Sequence, residues 1–404
     1  MQLKRYLHAL FPFIPMNLNF SFIHTPDIIF GTGSINQLVD CIRKFGKNLL
    51  LVHGKSFENR EYAKTIFAEL SDSDLHYEQI IIDSEPSPEQ INDTVLKYHN
   101  KKIQAVVSIG GGSVVDAGKA ISAMMVAGGD ITEYLEGIGH KQPTGKKLPF
   151  IAIPTTAGTG SEMTKNAVIT KPGKDGYKKS LRHDNYVPDV AIVDPGLTLS
   201  CPPKVTAASG LDTLTQLVES YLSTQASALT DALAMQGIWL IKKSLLKAFK
   251  NGLDIEARTD VAYAAMLSGI TLANAGLGLV HGFAQPLGSL FPVPHGVVCG
   301  RLMAIANKIT LDKIKQNNLD SWVLSKYSTL GNYILDLSAT NQMEAAEEFI
   351  KWLKDLTIEL NVPKLSEYAV QESDFEQIIS FTGLKNHPIS LDKEELYKIL
   401  KESL

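Results

Sequence analysis

The chain has 404 residues, more than one hydrophobic core usually supports, so two domains are expected. Hydrophobic residues make up 44% and charged residues 20%, the balance of an ordinary globular protein. A formal net charge of −4 gives no electrostatic reason to expect nucleic acid or an anionic membrane as a partner.

The first sixteen residues, MQLKRYLHALFPFIPM, place Lys4 and Arg5 before a short apolar run. That run holds His8, Pro12 and Pro15 and lacks a small-residue cleavage pattern, so it reads as a leader rather than a signal peptide, with Met16 as a second candidate start. No stretch reaches the roughly 20 uninterrupted apolar residues of a membrane span. Cys41, Cys201 and Cys299 are far apart and form no C-x-x-C pair. They suggest neither a disulfide framework nor a thiolate zinc site, and a reducing cytoplasm is the expected compartment.

From there the chain alternates short apolar runs with amphipathic stretches. Strands are expected at NLLLVHG (48–54), YEQIIID (77–83), QAVVSIG (104–110), LPFIAIPTT (148–156) and VAIVDP (190–195), with helices at 60–70 and 87–99 between the first three. Such alternation predicts a parallel sheet covered on both faces. After Pro202-Pro203 a period of 3.6 dominates to the C-terminus. The boundary is therefore placed near residue 200, with α/β before it and all-α after it.

Four segments carry chemistry. In AVVSIGGGSVVDAGKAIS (105–122) a strand runs into Gly110, Gly111, Gly112 and Ser113 and then a helix. Bare backbone N–H groups at a helix N-terminus suit a phosphate or pyrophosphate, with Ser113 either capping the helix or donating to the phosphate. The spacing matches neither the usual dinucleotide fingerprint nor a Walker loop. IPTTAGTGSE (153–162) sets Thr155, Thr156, Thr159 and Ser161 around two glycines. It is either a hydroxyl lining for a ribose and a nicotinamide amide or a plain Ser/Thr-rich loop.

In SGLDTLTQLVES (209–220), Asp212 and Gln216 share a helix face among leucines. VHGFAQPLGSLFPVPHG (280–296) buries His281 and His295 in an apolar stretch. These four form an O,O,N,N set for a divalent first-row metal, unless the two imidazoles are simply satisfied core histidines. Phe283, Leu287, Leu290 and Phe291 suit either a substrate-pocket wall or the core.

In order and spacing these four motifs resemble the iron-containing (group III) alcohol dehydrogenases. FGTGSINQL (30–38), VPDVAIVDPGLT (187–198) and NHPISLDKEEL (386–396) extend the resemblance from about residue 17 to the end. It implies a dehydroquinate synthase-like fold, with an α/β dinucleotide-binding domain over 17–200 and an all-helical metal and substrate domain over 201–404. The implied function is an NAD- or NADP-dependent, metal-assisted alcohol dehydrogenase or aldehyde reductase. Its partner would be a small alcohol or carbonyl compound, and a homodimer is the assembly the resemblance suggests.

The resemblance further implies that Gly111, Gly112 and Ser113 hold the pyrophosphate, with Asp116 beside them. Thr155, Thr156, Thr159 and Lys178 would lie along the ribose and nicotinamide. Asp212, His281 and His295 would bind Fe2+ or Zn2+, with Gln216 where the family usually has a third histidine. Gln285 stands where a further family histidine lies near the substrate. Gly54, beside Lys55 and Ser56, stands where an acidic residue often accepts the adenosine ribose. Either the missing carboxylate admits NADP, or a tight turn requires glycine there.

Three other functions compete. The first is a metal-independent, maleylacetate-reductase-like oxidoreductase, and the second a non-enzymatic nucleotide-binding protein. The third, a dehydroquinate-synthase-like lyase, would want more basic residues than the two that 257–301 offers, Arg258 and Arg301.

Overall fold

The computed structural model describes residues 18–173, 176–317, 321–337 and 341–404; the expected leader and the Met16 start lie outside them. Six strands form a parallel sheet: β1 (Asp27–Phe30), β2 (Asn48–Gly54), β3 (His76–Ile82), β4 (Ala105–Gly110), β5 (Phe150–Pro154) and β8 (Val190–Val193). Their spatial order is β1-β8-β5-β4-β2-β3. Four helices accompany the sheet: α1 (Leu38–Arg43), α2 (Glu61–Ser71), α3 (Pro88–Tyr98) and α4 (Gly112–Ala127). Every residue of β4 is buried, as expected of a central strand covered on both faces. The α3 start follows from its sequence: Ser87 caps the Gln90 amide and Pro88 presets the first turn.

This order fixes where a ligand can bind. From β2 the chain passes to β3 on one side, then returns to place β4 on the other. In open parallel sheets the crevice at such a reversal, beyond the carboxyl ends of the strands, is the ligand position. Here those ends are Gly54 and Gly110.

An antiparallel hairpin, β6 (Asn166–Lys171) with β7 (Tyr177–Arg182), stands apart from the main sheet. The sequence reading did not anticipate it. Its second strand, Tyr-Lys-Lys-Ser-Leu-Arg, is mostly half-exposed and its first offers only the short apolar run Ala167-Val168-Ile169, so the strand signal is weak.

Beyond β8 the described residues are helical: α5 (Pro203–Leu222), α6 (Ala228–Lys250), α7 (Ile255–Ala275), α8 (Leu279–Leu290), α9 (His295–Gln316), α10 (Trp322–Ile334), α11 (Gln342–Glu359), α12 (Phe375–Phe381) and α13 (Lys393–Ser403). Leu211, Leu214, Leu217 and Val218 bury one side of α5 completely among α6, α7 and α9. At roughly 1.5–3 kcal/mol for each large apolar side chain removed from water, these contacts hold α5 rigidly in place. Among the described residues no single helix is long and apolar enough to cross a membrane.

Candidate active site

The first half of the site sits over the β2–β4 crevice. Gly111 is the N-cap of α4, and neither a side-chain cap nor an acidic residue occupies the first turn. The free N–H groups and the dipole therefore face outward, which favours an anion. The three glycines differ in what they do. A Cβ on Gly110 would lie 2.6 Å from Val114 Cβ, and one on Gly112 would lie 2.7 Å from Thr159 Oγ1, so both are required by packing. A Cβ on Gly111 would meet Thr156 at 3.5 Å, an ordinary contact. Nothing in the protein requires that glycine; a ligand approaching the backbone would.

Gly54 ends β2 with room to spare. An added Cβ would find Val114 at 3.6 Å and the Ile82 carbonyl at 3.9 Å, and its backbone φ lies outside the left-handed region. A tight turn therefore does not explain the glycine.

The loop after β5 joins the two halves. Thr155, Thr156 and Thr159 remain partly open, and Thr156 and Thr159 stand against Gly111 and Gly112. On the other side, the Thr213 hydroxyl of α5 donates to the Gly158 carbonyl at 2.9 Å. The loop's rigidity comes from beneath. Asp116 accepts the Ser161 hydroxyl and the Val168 amide, so its carboxylate anchors the loop and hairpin from inside the protein. Lys119, which the sequence reading passed over, donates to the Ser161 and Asn166 carbonyls at 2.8 Å and to Thr164 Oγ1 at 3.0 Å. Burial pulls that ammonium down to about 8, against the pull of Asp116 and Glu162.

Lys178 lies on the hairpin, its ammonium paired with Glu85 and its carbonyl accepting the Gln285 amide at 2.9 Å. Burial alone would raise the Glu85 carboxyl. The Lys178 charge and hydrogen bonds from Lys178 and Thr170 outweigh it and leave the group below its ordinary value. Gln285 thus ties α8 to β7. Phe283 and Leu287 are completely buried in the core, which decides the open choice between core and pocket wall for these two.

The second half gathers four donors from three helices. Asp212 on α5, His281 on α8, and His295 with Cys299 on α9 bring one ligand atom each within 4.8 Å of all the others. Asp212 Oδ1 lies 3.3 Å from His281 Nε2 and 3.5 Å from His295 Nε2. Cys299 Sγ lies 3.7 Å from both of those nitrogens. The sequence reading missed Cys299, having dismissed the cysteines as an unrelated set. Its position one helical turn after His295 was the available signal. Gln216, also buried on α5, instead accepts the Ser268 hydroxyl at 3.0 Å through its Oε1.

Glu219 is the third residue that sequence reasoning missed, although it lies two turns after Asp212. One carboxylate oxygen caps α8 by accepting the Val280 amide at 2.6 Å; the other holds His281 Nδ1 at 2.7 Å. Carboxylate–histidine pairs of this kind orient a metal-binding imidazole, here leaving Nε2 to face the cluster.

The donors fit a divalent cation. A tetrahedral centre with bonds of about 2.0–2.3 Å spaces its ligand atoms roughly 3.3–3.7 Å apart, the range spanned by the Asp212–histidine and Cys299–histidine separations here. The electrostatics point the same way. Against burial, Cys299 and Asp212 push His295 up to about 9, and the same groups with Glu219 hold His281 well above its ordinary value. Also against burial, the two histidines hold the Asp212 carboxyl far below the usual range. The cluster favours positive charge at its centre. His295 keeps 29% of its side chain exposed whereas Asp212 keeps 3%, so the cluster opens toward the cleft on the His295 side.

With this geometry in place, the likeness to known proteins becomes informative. The description "Iron-containing alcohol dehydrogenase" matches residues 25–195, and that family's C-terminal domain matches residues 206–404. The chain belongs to the iron-containing alcohol dehydrogenase family. It is an oxidoreductase of the kind that acts on CH–OH donors. Alcohol dehydrogenase 4 of Saccharomyces cerevisiae is 36% identical to it over 389 residues, 94% of this chain and 97% of the relative. An NADPH-dependent butanol dehydrogenase of Clostridium saccharobutylicum is 32% identical, over 93% of this chain and 95% of its own. Among solved structures, a 1,3-propanediol oxidoreductase superposes with a TM-score of 0.86 at 28% identity, covering 96% of this chain and all of that one. The parallel α/β sheet followed by a helical region is the architecture of this family.

Proposed function

We propose that this chain is an NADP-accepting alcohol dehydrogenase or aldehyde reductase that uses a divalent metal, Fe2+ or Zn2+, against a small alcohol or carbonyl substrate. Residues 17–200 would hold the dinucleotide and residues 201–404 the metal and substrate. The observation that carries the reading is the convergence of Asp212, His281 and His295, with the Thr213 hydroxyl fastening the same stretch of α5 to the 155–161 loop.

Each residue has a defined task. Gly111 and Gly112 admit the pyrophosphate to the α4 N-terminus, and Ser113 adds a hydroxyl donor. Thr155, Thr156 and Thr159 offer hydroxyls to the ribose and nicotinamide, on a loop that Asp116 and Lys119 hold from below. Gly54 leaves the adenosine ribose without a repelling carboxylate, so a 2′-phosphate is accommodated. Asp212 supplies an anionic oxygen and His281 and His295 supply nitrogens, His281 kept in one tautomer by Glu219. When bound, the cation supplies Lewis acidity toward the substrate oxygen and the nicotinamide supplies the hydride chemistry. Gln285 is committed to the Lys178 carbonyl and plays no part in moving a proton.

Elemental analysis of protein purified without chelator, with NADPH and NADH titrations and alcohol oxidation before and after metal removal, tests this reading. Bound metal, tighter NADPH than NADH, and activity lost on stripping and regained on reloading are expected. Full activity in stripped protein would overturn the metal assignment and favour the metal-independent alternative.

A further inference from the structure

We propose that Cys299, as a thiolate, is the fourth protein ligand of the metal centre, in the place the sequence alone would give to Gln216. The site would then be an Asp–His–His–Cys centre suited to Zn(II) or Co(II) rather than an all-oxygen-and-nitrogen iron site, with the substrate oxygen adding as a fifth ligand during turnover. This inference rests on the metal reading above and adds the identity of the fourth donor.

Geometry carries it. Cys299 Sγ stands 3.7 Å from both His281 Nε2 and His295 Nε2, equally close to the two nitrogens and within sulfur hydrogen-bond reach of each. A tetrahedral centre with metal–nitrogen bonds near 2.0 Å and a metal–sulfur bond near 2.3 Å separates nitrogen from sulfur by about 3.5 Å. His295 and Cys299 are four residues apart on α9 and so project from one face, across from Asp212 on α5. Cys299 is completely buried, so any cation held by the other three donors meets its sulfur without competing water.

Gln216 is placed differently. Its Oε1 accepts the Ser268 hydroxyl at 3.0 Å, which ties that oxygen to α7 and leaves it one lone pair, while the amide nitrogen only donates. The chemistry follows from the donors. Thiolate is the softest ligand the protein offers and shifts preference toward zinc-like ions, while Asp212 supplies a second negative charge. Cation binding displaces the Cys299 thiol proton, which leaves to solvent, so the bound centre carries sulfur as thiolate.

Co(II) is the probe, because a cobalt–thiolate bond gives a near-ultraviolet charge-transfer absorption that oxygen and nitrogen ligands do not. Stripped full-length protein is titrated with Co(II), and both the absorbance and the bound metal are measured. The wild type should take up one Co(II) per chain with that band. Cys299→Ala should still bind Co(II) through Asp212 and the histidines, more weakly and without the band. Gln216→Ala should keep the band. One Co(II) per chain in the wild type with no band, or a band that survives in Cys299→Ala, overturns the thiolate ligand and leaves the metal reading standing. No Co(II) uptake at all overturns both.

Discussion

Replacing Gly111 by alanine separates ligand binding from folding. Gly111 is extended at φ −72° and ψ −179°, which any residue adopts, and the new methyl would meet Thr156 Oγ1 at 3.5 Å and Cγ2 at 3.6 Å. The fold should accept it, with stability changed by less than about 1 kcal/mol. The neighbouring glycines cannot serve. Alanine at 110 or 112 drives a methyl to 2.6 or 2.7 Å from Val114 or Thr159, so either variant, and Gly112→Val more so, disturbs the protein before any ligand arrives.

On the proposed reading, the Gly111 methyl stands where a pyrophosphate oxygen would approach the first amides of α4. Losing one charge-assisted hydrogen bond costs about 1.5–3 kcal/mol, or roughly a ten- to hundredfold weaker Kd. Fluorescence titration with NADPH and NADH, beside a thermal melt of the same preparation, measures both quantities. A Gly111→Ala protein that melts like the wild type and binds both nucleotides unchanged would refute the pyrophosphate assignment.

Three further outcomes are expected. Gly54→Asp, for which the structure has room, should shift the NADPH-to-NADH affinity ratio toward NADH by about 1.4 kcal/mol or more, at least tenfold; an unchanged ratio in nucleotide titrations would dissociate position 54 from the 2′-phosphate. Glu219→Gln keeps the shape but removes the charge behind His281 Nδ1, and should weaken Zn(II) or Co(II) binding about 10- to 100-fold in competition with a chromophoric chelator. Equal affinity would make Glu219 a cap for α8 and nothing more.

The third concerns His387. Burial pulls this imidazole down to about 4 against the opposing influence of Glu219, so it stays neutral in the native state. Below about pH 6.5 the unfolded chain binds a proton that the native chain does not, so stability falls with pH from there toward about 4. Between pH 7 and pH 5 the loss should reach about 2 kcal/mol. It should be read as a larger drop in urea midpoint for the wild type than for His387→Gln; parallel drops would contradict the buried neutral imidazole.

The legible parts of this molecule are those whose causes are local. Strand β2 was read at 48–54 because a run of leucine and valine ends in a turn residue within a few positions. The α4 N-terminus was read from glycines that must lie against something. The hairpin carrying Lys178 was not read, because its buried apolar residues, Ala167, Ile169 and Leu181, are too few and too interspersed with polar ones to mark two strands.

The sequence by itself determined the change from α/β to all-helical structure near residue 200, the strand–glycine–helix junction and the three residues proposed as metal donors, since period, turn chemistry and family motifs all operate over short spans. Only the tertiary structure points to the fourth donor proposed here. Gln216 sits one turn from Asp212 as the pattern requires, yet Ser268, 52 residues away on α7, engages its amide oxygen. Cys299 comes to His281 from 18 positions away because α8 and α9 pack together. Likewise Gly54 reads as a turn residue in sequence, and only the space left by Val114 and Ile82 shows that no turn requires it. Side-chain reach and packing of distant helices are absent from local pattern, and they bring the proposed metal donors together and leave the open surroundings of Gly54.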